Sequence, residues 1–313
     1  MGTVIDLVRR AFAAFQQDAA FPAPLTLRGG TDLDGYDLPR PFDPSIDAPT
    51  DTYLEQFTFN GLGYLDAQSW RHYLPRLVEY AIGHPEDPAM AVEALVRSLR
   101  PPDRYPPRLG SLTAGQEAVV REFLELVALG DLVPDLQEEA QQALEEWWLP
   151  NPRARPTAEE MAALRSAPVT YRPMRDERYR LAVPDTLADS GVKDIPEELR
   201  RVRTWGGYIC GDVHTVIAVN VTPLQARSFQ DSVAARRSLF RDLVEPTAQS
   251  VPGSRRAERL EGLNHGDSPA EPQLLMMIFA EADQDLVTLS IRTWERDDVR
   301  PIVEHIVGSL EVM

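Results

Sequence analysis

The sequence predicts an α+β chain: an N-terminal all-α helical domain followed by an antiparallel-sheet domain. Three observations predict it. Apolar residues in the first half recur at helical spacing behind capping residues. Pro150, Pro152, Pro156 and Pro168 then crowd one stretch, and beyond it the apolar period switches to two. The expected organisation is a helical domain over 1–149, a proline-rich linker over 150–168 and an α+β domain over 169–313. A length of 313 residues exceeds what one hydrophobic core usually organises, which also favours two domains.

The helical half reads in order. Thr3 suits the cap of a helix whose stripe is Leu7, Val8, Ala11, Phe12 and Phe15. From Phe21 to Thr50 the pattern dissolves into Pro, Gly and Asp, and a long irregular arm is expected. Asp66 then caps a segment presenting Trp70, Tyr73, Leu74, Leu77 and Val78, with a kink or a break expected at Pro75. Asp87-Pro88 is a start signal leading into Met90, Leu95 and Leu99, and Thr113 with Gln116 forms a capping box before Val119, Val120, Phe123 and Leu124. A last acidic helix runs from about Asp135 to Trp148. The expected total is four to six helices.

After the linker, which has its own short helix capped by Thr157 and Glu160, strands take over. Tyr179 to Val183 alternates and stops at Pro184. Residues 203–210 and 213–221 form a hairpin around a two-residue turn, Gly211-Asp212. A long helix is expected to open at Thr222, Pro223 and Gln225, followed by strands over 273–280 and 286–293 and a closing helix near 299–307. Hairpins with segregated helices give an antiparallel sheet with helices packed on it.

Composition excludes several function classes. The chain carries 32 basic and 49 acidic side chains, a net charge of −17, which opposes binding to phosphate backbones; no nucleic-acid partner is expected. No apolar run approaches the ~20 residues of a membrane-spanning helix, and no membrane partner is expected. Asp6, Arg9 and Arg10 interrupt the place where a signal peptide needs its apolar stretch, so a cytoplasmic location is expected. Cys210 is the single cysteine, which rules out an intrachain disulfide and a cysteine-built zinc site. Neither GxGxxG nor GxxxxGK[ST] occurs, and no cofactor or metal is expected.

Candidate chemistry is sparse. Cys210, Asp212 and His214 would share a face on one continuous strand, but the hairpin reading puts Cys210 and His214 on opposing strands. Asn264-His265-Gly266-Asp267-Ser268 reads as a loop by composition; a hydrolase using His265 with Asp267, or a site between the domains near the 21–50 arm, is the alternative function. Two surfaces suit partner binding better. Glu138, Glu139, Glu145, Glu146, Trp147 and Trp148 combine acidity with two large aromatics, and Met276 and Met277 lie on a strand apolar on both sides. Core packing is the competing role for the tryptophans and methionines.

Tyr179 to Pro184, the helix expected after Pro223, Val287-Thr-Leu-Ser-Ile-Arg292 and the ending Ile302 to Leu310 make the second half resemble the PsbP-like fold. That grouping holds extrinsic photosystem subunits, a Ran-binding nuclear-transport factor and bacterial chaperones of type VI secretion effectors. The resemblance implies a protein-binding scaffold with no shared catalytic residues, and the stretch Pro246 to Asp267 departs from it as an insertion. The first half is similar to a helical bacterial domain of unknown function, through Tyr64 to Pro75, Leu95 to Leu99 with Pro101-Pro102, and Leu112 to Gln116. The function expected is a non-enzymatic protein-binding module, a chaperone, adaptor or immunity-like protein. Its partner would be a basic or hydrophobic bacterial protein such as a toxin or secreted effector.

Overall fold

The computed structural model describes residues 2–19, 22–35, 37–85, 90–103, 105–130, 132–195, 200–224, 228–264 and 271–313. It is α+β, with helices first and antiparallel strands after. Met1–Pro156 make one compact unit; Thr157–His265 with Pro272–Met313 make the other.

The first unit contains α1 (Gly2–Ala14), α2 (Gln16–Ala19), α3 (Leu27–Asp34), α4 (Asp51–Gly61), α5 (Ala67–Gly83), α6 (Met90–Ser98), α7 (Ala114–Leu129) and α8 (Gln137–Ala143). Apart from α2, their apolar faces share one core, in which Leu7, Phe15, Leu54, Trp70, Tyr73, Leu95 and Phe123 are buried. The signals at Asp66 and Thr113 act as expected: Asp66 accepts from Ser69 N–H at 2.8 Å, and Thr113 and Gln116 close a reciprocal box at 3.3 and 3.0 Å. Thr113→Ala is therefore expected to cost about 1 kcal/mol in denaturant unfolding. The start signal at Asp87-Pro88 lies outside the described residues.

Three expectations are corrected here. The arm between Phe21 and Thr50 contains α3, begun by Thr26, whose hydroxyl accepts from Gly29 N–H at 2.9 Å, and Thr50 caps the further helix α4. Two glycines hid this pair from the helical pattern. A Cβ on Gly30 would collide with the carbonyl of Gly61, and one on Gly61 with the carbonyl of Leu27, so α3 and α4 meet backbone to backbone. Of the two outcomes expected at Pro75, the break does not occur: α5 runs as one helix with Pro75 buried. One missing hydrogen bond is outweighed by the apolar stripe on either side. The acidic helix near Asp135 to Trp148 is α8 followed by a π-helical turn over Leu144–Trp148.

The second unit opens with α9 (Ala158–Ser166), closed by the Thr157/Glu160 box. Three strands, β1 (Tyr171–Arg175), β2 (Tyr179–Pro184) and the C-terminal Glu311–Val312, form a small sheet with β2 central. The large sheet is built from β3 (Leu187–Ile195), β4 (Arg200–Ile209), β5 (Val213–Pro223), β6 (Phe240–Arg241), β7 (Thr247–Ala248), β8 (Arg256–Asn264), β9 (Leu274–Ala282) and β10 (Asp285–Thr293). The C-terminal strand of the small sheet is β11. The large sheet's order is β3-β4-β5-β10-β9-β8-β6, with β7 also on β8, every pair antiparallel. At its margin, β3 is exposed along most of its length and interrupted by a bulge between Asp189 and Val192, where Gly191 has φ +80°.

Register fixes the two faces. Trp205, Ile217, Ile291 and Met276 stand in one row across four strands. On this face α11 (Arg300–Gly308) is tied to β8, Arg300 to Glu261 at 2.5 Å and Glu304 to Arg259 at 2.7 Å. The opposite face gathers Leu260, Leu275, Met277 and Phe279 beneath Phe229 and Val233 of α10 (Phe229–Arg237). A strand apolar on both sides is thus covered on both.

The helix expected at Thr222 starts later, because β5 continues to Pro223 in register with β10; Ser228 caps α10 and Gln225 lies outside the described residues. The stretch Pro246 to Asp267, expected as an insertion, supplies β8, an interior strand of the sheet. Its charged alternation, Arg256, Glu258, Arg259, Glu261, masked the strand pattern.

Candidate functional site

The acidic-aromatic segment separates by depth. Trp147 and Trp148 are each 5% exposed and belong to the helical core. The Trp148 indole donates to the Leu99 carbonyl at 2.8 Å, and the Arg155 guanidinium lies over the Trp147 ring at 5.4 Å. Of the carboxylates, Glu146 pairs with Arg100 at 3.0 Å and Glu145 with Arg153. Asp135 and Glu138 are exposed and Glu139 half-buried. Met276 and Met277 are buried on opposite faces of β9. The segment over Asp135–Glu146 presents outward the carboxylates of Asp135 and Glu138 and the amide of Gln141, with the Gln142 amide donating to Glu138 at 3.1 Å.

The histidines disperse. His72 Nδ1 lies 3.0 Å from the Asp18 carbonyl, and His84 Nδ1 2.9 Å from the Tyr80 carbonyl. His265 and Asp267 lie outside the described residues. The turn between β4 and β5 is corrected to three residues, Cys210–Asp212, with φ +52° at Cys210 and +81° at Gly211. Two successive left-handed residues match the twist of the flanking strands, which draws Cys210 into the turn itself. The cross-strand neighbour of His214 is Tyr208.

The turn is clamped by charge. Asp212 accepts from Arg165 at 2.6 Å and from Arg296 at 2.8 Å, and Arg296 grips Asp298 through two further bonds at 2.5 and 2.8 Å. A Cβ on Gly211 would run into Leu164 of α9, so the glycine lets helix and turn meet. Beside this ladder opens a cavity of about 340 Å³, lined by Arg165, Ala167, Val169, Tyr171, Cys210, Asp298, Pro301, Ile302 and His305. The rings of Tyr171 and His305 pack at 4.1 Å between centroids, tilted by 40°. Burial first, then the neighbouring Asp298 carboxylate, push the Cys210 thiol up, and its Sγ lies 3.9 Å from the Asp298 carbonyl. A thiol so placed stays protonated near neutrality and is a weak nucleophile. Sequence reasoning missed this convergence, because turn, strand and helix bring together residues with no local motif.

A second cleft, of about 410 Å³, lies between the β1–β2 turn and the ends of β3, β4, β5 and β10. Its walls hold Arg178 with Asp285 at 3.1 Å, and Arg201 with Asp176 and Asp194 at 3.9 and 4.0 Å. Nearby, burial pushes the Tyr179 hydroxyl up to about 12. That hydroxyl and the Trp205 indole N–H have no hydrogen-bond partner among the described residues. Arg203, the third arginine of this strand, is held by Asp189 at 2.5 Å over the Trp205 ring. Arg201 and Arg203 of β4 are thus interleaved with carboxylates.

Residues 3–152 match a family of unknown function, DUF6714. No curated protein matches the chain. Among solved structures, the chain is similar to the Ran-binding protein Mog1p of Saccharomyces cerevisiae at 9% identity and a TM-score of 0.32, over 46% of this chain and 96% of that one. It is similar to the PsbP of the cyanobacterium Synechocystis at 17% identity and a TM-score of 0.33, over 47% and 95%. The third is LpqN, involved in cell envelope biogenesis of Mycobacterium tuberculosis, at 11% identity and a TM-score of 0.25, over 51% and 99%. No residue role carries over from these likenesses. Among the described residues, no helix is long and apolar enough to cross a membrane, and no group of three His, Cys, Asp or Glu side chains could hold a metal ion.

Proposed function

We propose that this chain is a non-enzymatic protein-binding module that receives a basic protein partner on the acidic surface of its helical unit. One observation carries the reading. Asp135, Glu138 and Glu139 have no ion pair among the described residues, in a chain whose net charge is −17. Carboxylates at the start of α8 also favour the helix dipole, but that local gain needs one or two of them, not the surplus of the whole chain. A negative exterior speeds encounter with a positive partner and repels like-charged ones. A basic toxin or secreted effector is a partner class of this kind, and a cytoplasmic location suits it.

The test begins with capture of the partner from the native host, followed by association kinetics with the purified pair. Raising salt from about 0.05 to 0.5 M is expected to slow association at least tenfold, since the screening length shrinks severalfold. The double substitution Glu138→Lys, Glu139→Lys is expected to slow it by about a further tenfold at low salt. Rates that ignore both salt and charge reversal would overturn the reading.

A further inference from the structure

The cavity beside the β4–β5 turn opens to solvent, and nothing in the acidic-surface reading explains it. Its walls divide into apolar and polar parts. Val169 and Ile302 give its apolar floor, Ala167 and Pro301 stand exposed at its mouth, and Tyr171, His305 and Cys210 supply a phenol, an imidazole and a thiol. Among the described residues, the Tyr171 hydroxyl and the His305 ring nitrogens form no hydrogen bond, while the two rings pack against each other. The charged groups at the rim are already committed to one another, Arg165 to Asp212, Asp212 to Arg296, and Arg296 to Asp298.

We propose that this cavity binds a small neutral aromatic or heteroaromatic compound. Each part of that description follows from the walls. The lining is polar and apolar in about equal parts, which suits a guest with an apolar ring and a polar edge, and a volume of about 340 Å³ takes one or two fused rings. The paired aromatic rings favour a planar guest, by offset or edge-on stacking. The Tyr171 hydroxyl and His305 imidazole offer a donor and an acceptor to the guest's polar edge. Neutrality follows from the rim, since a charged guest would have to break the arginine–carboxylate ladder to be compensated. The same ladder fixes turn, helix α9 and the start of α11, so the site is formed before the guest arrives. Thiolate chemistry is not part of the proposal, because the thiol is held protonated. The inference stands apart from the acidic-surface reading and survives its failure.

The experiment uses the full chain labelled with ¹³C-histidine, which has five histidines, and the probes indole and quinoline against benzoate and hexanol. The His305 resonance, assigned through His305→Gln, is expected to shift with indole and quinoline and not with benzoate or hexanol. Tyr171→Leu is expected to weaken indole binding about tenfold, through loss of the stacking partner and hydroxyl. Should that variant lose its fold, Ile302→Phe tests the same point by filling the cavity, and is expected to abolish the shift. No shift of His305 with either ring compound would overturn the proposal, as would equal shifts with benzoate or hexanol. So would indole shifts unchanged in whichever variant folds.

Discussion

Gly61→Ala is expected to destabilise the helical unit by about 3 kcal/mol, while Gly63→Ala, two residues on, changes stability by less than about 0.5 kcal/mol. The contrast is a matter of space. A methyl group on Gly61 would occupy the position of the Leu27 carbonyl oxygen, whereas one on Gly63 meets nothing within 4 Å. Relief requires α3 and α4 to separate, and Leu27 and Leu54, both fully buried, would lose packing as they did so. Because Gly30 meets the same backbone from the other side, Gly30→Ala is expected to match Gly61→Ala in size. The double variant should cost less than the sum, since one separation of the helices relieves both. Urea unfolding followed by far-ultraviolet circular dichroism measures the four variants against wild type; equal stabilities for the Gly61 and Gly63 variants would refute the account.

Arg28→Met is expected to cost about 3–5 kcal/mol, since it strands a buried carboxylate. Arg28 and Asp47 are 5% and 2% exposed, and the guanidinium meets the carboxylate twice, at 2.8 and 2.6 Å. Asp47 also accepts from the Asp43 N–H at 2.8 Å, and Arg28 donates to the Pro41 carbonyl at 3.0 Å. Burial alone would push the Asp47 carboxyl up; the hydrogen bonds from Arg28 and Asp43 outweigh it and hold the carboxyl below its ordinary value. The sign of the pH dependence follows. A depressed native pKa means that the pair's stabilisation is complete above the unfolded carboxylate pKa, about 4, and is lost as pH falls through the lower native value. Wild type should therefore lose stability on acidification in this window, while the variant, whose Asp47 has no cation to hold it charged, should lose less. Arg28→Met with Asp47→Leu is expected to recover much of the cost, because both desolvated charges are gone.

Fold class was legible because periodicity and capping are local. Asp66, Thr113 and Thr157 cap helices where their sequence neighbours say they should, and the alternation around Tyr179 and Val213 marks true strands. What escaped was non-local. Helices α3 and α4 owe their contact to Gly30 and Gly61, which weaken a helical pattern when read one residue at a time. Strand β8 carries charge on the Trp205 face because Arg259 and Glu261 are answered by Glu304 and Arg300 of α11, far along the chain. Of the candidate residues, Trp147, Trp148, Met276 and Met277 have the composition of binding anchors and the burial of core, a distinction only the tertiary fold makes. Tyr171, Cys210 and His305 meet through three separate elements and leave no spacing to find.

The irregular margin at β3 has a consequence for crowded solutions. A flat strand with unanswered amides is a template on which a neighbouring molecule can lie, the first step toward cross-β fibres. Here the bulge at Gly191 tilts that template, and Asp189, Lys193 and Asp194 stud it with opposite charges, Lys193 being the chain's single lysine. Molecules meeting at this rim find no straight ladder to extend, so this margin resists strand-to-strand growth.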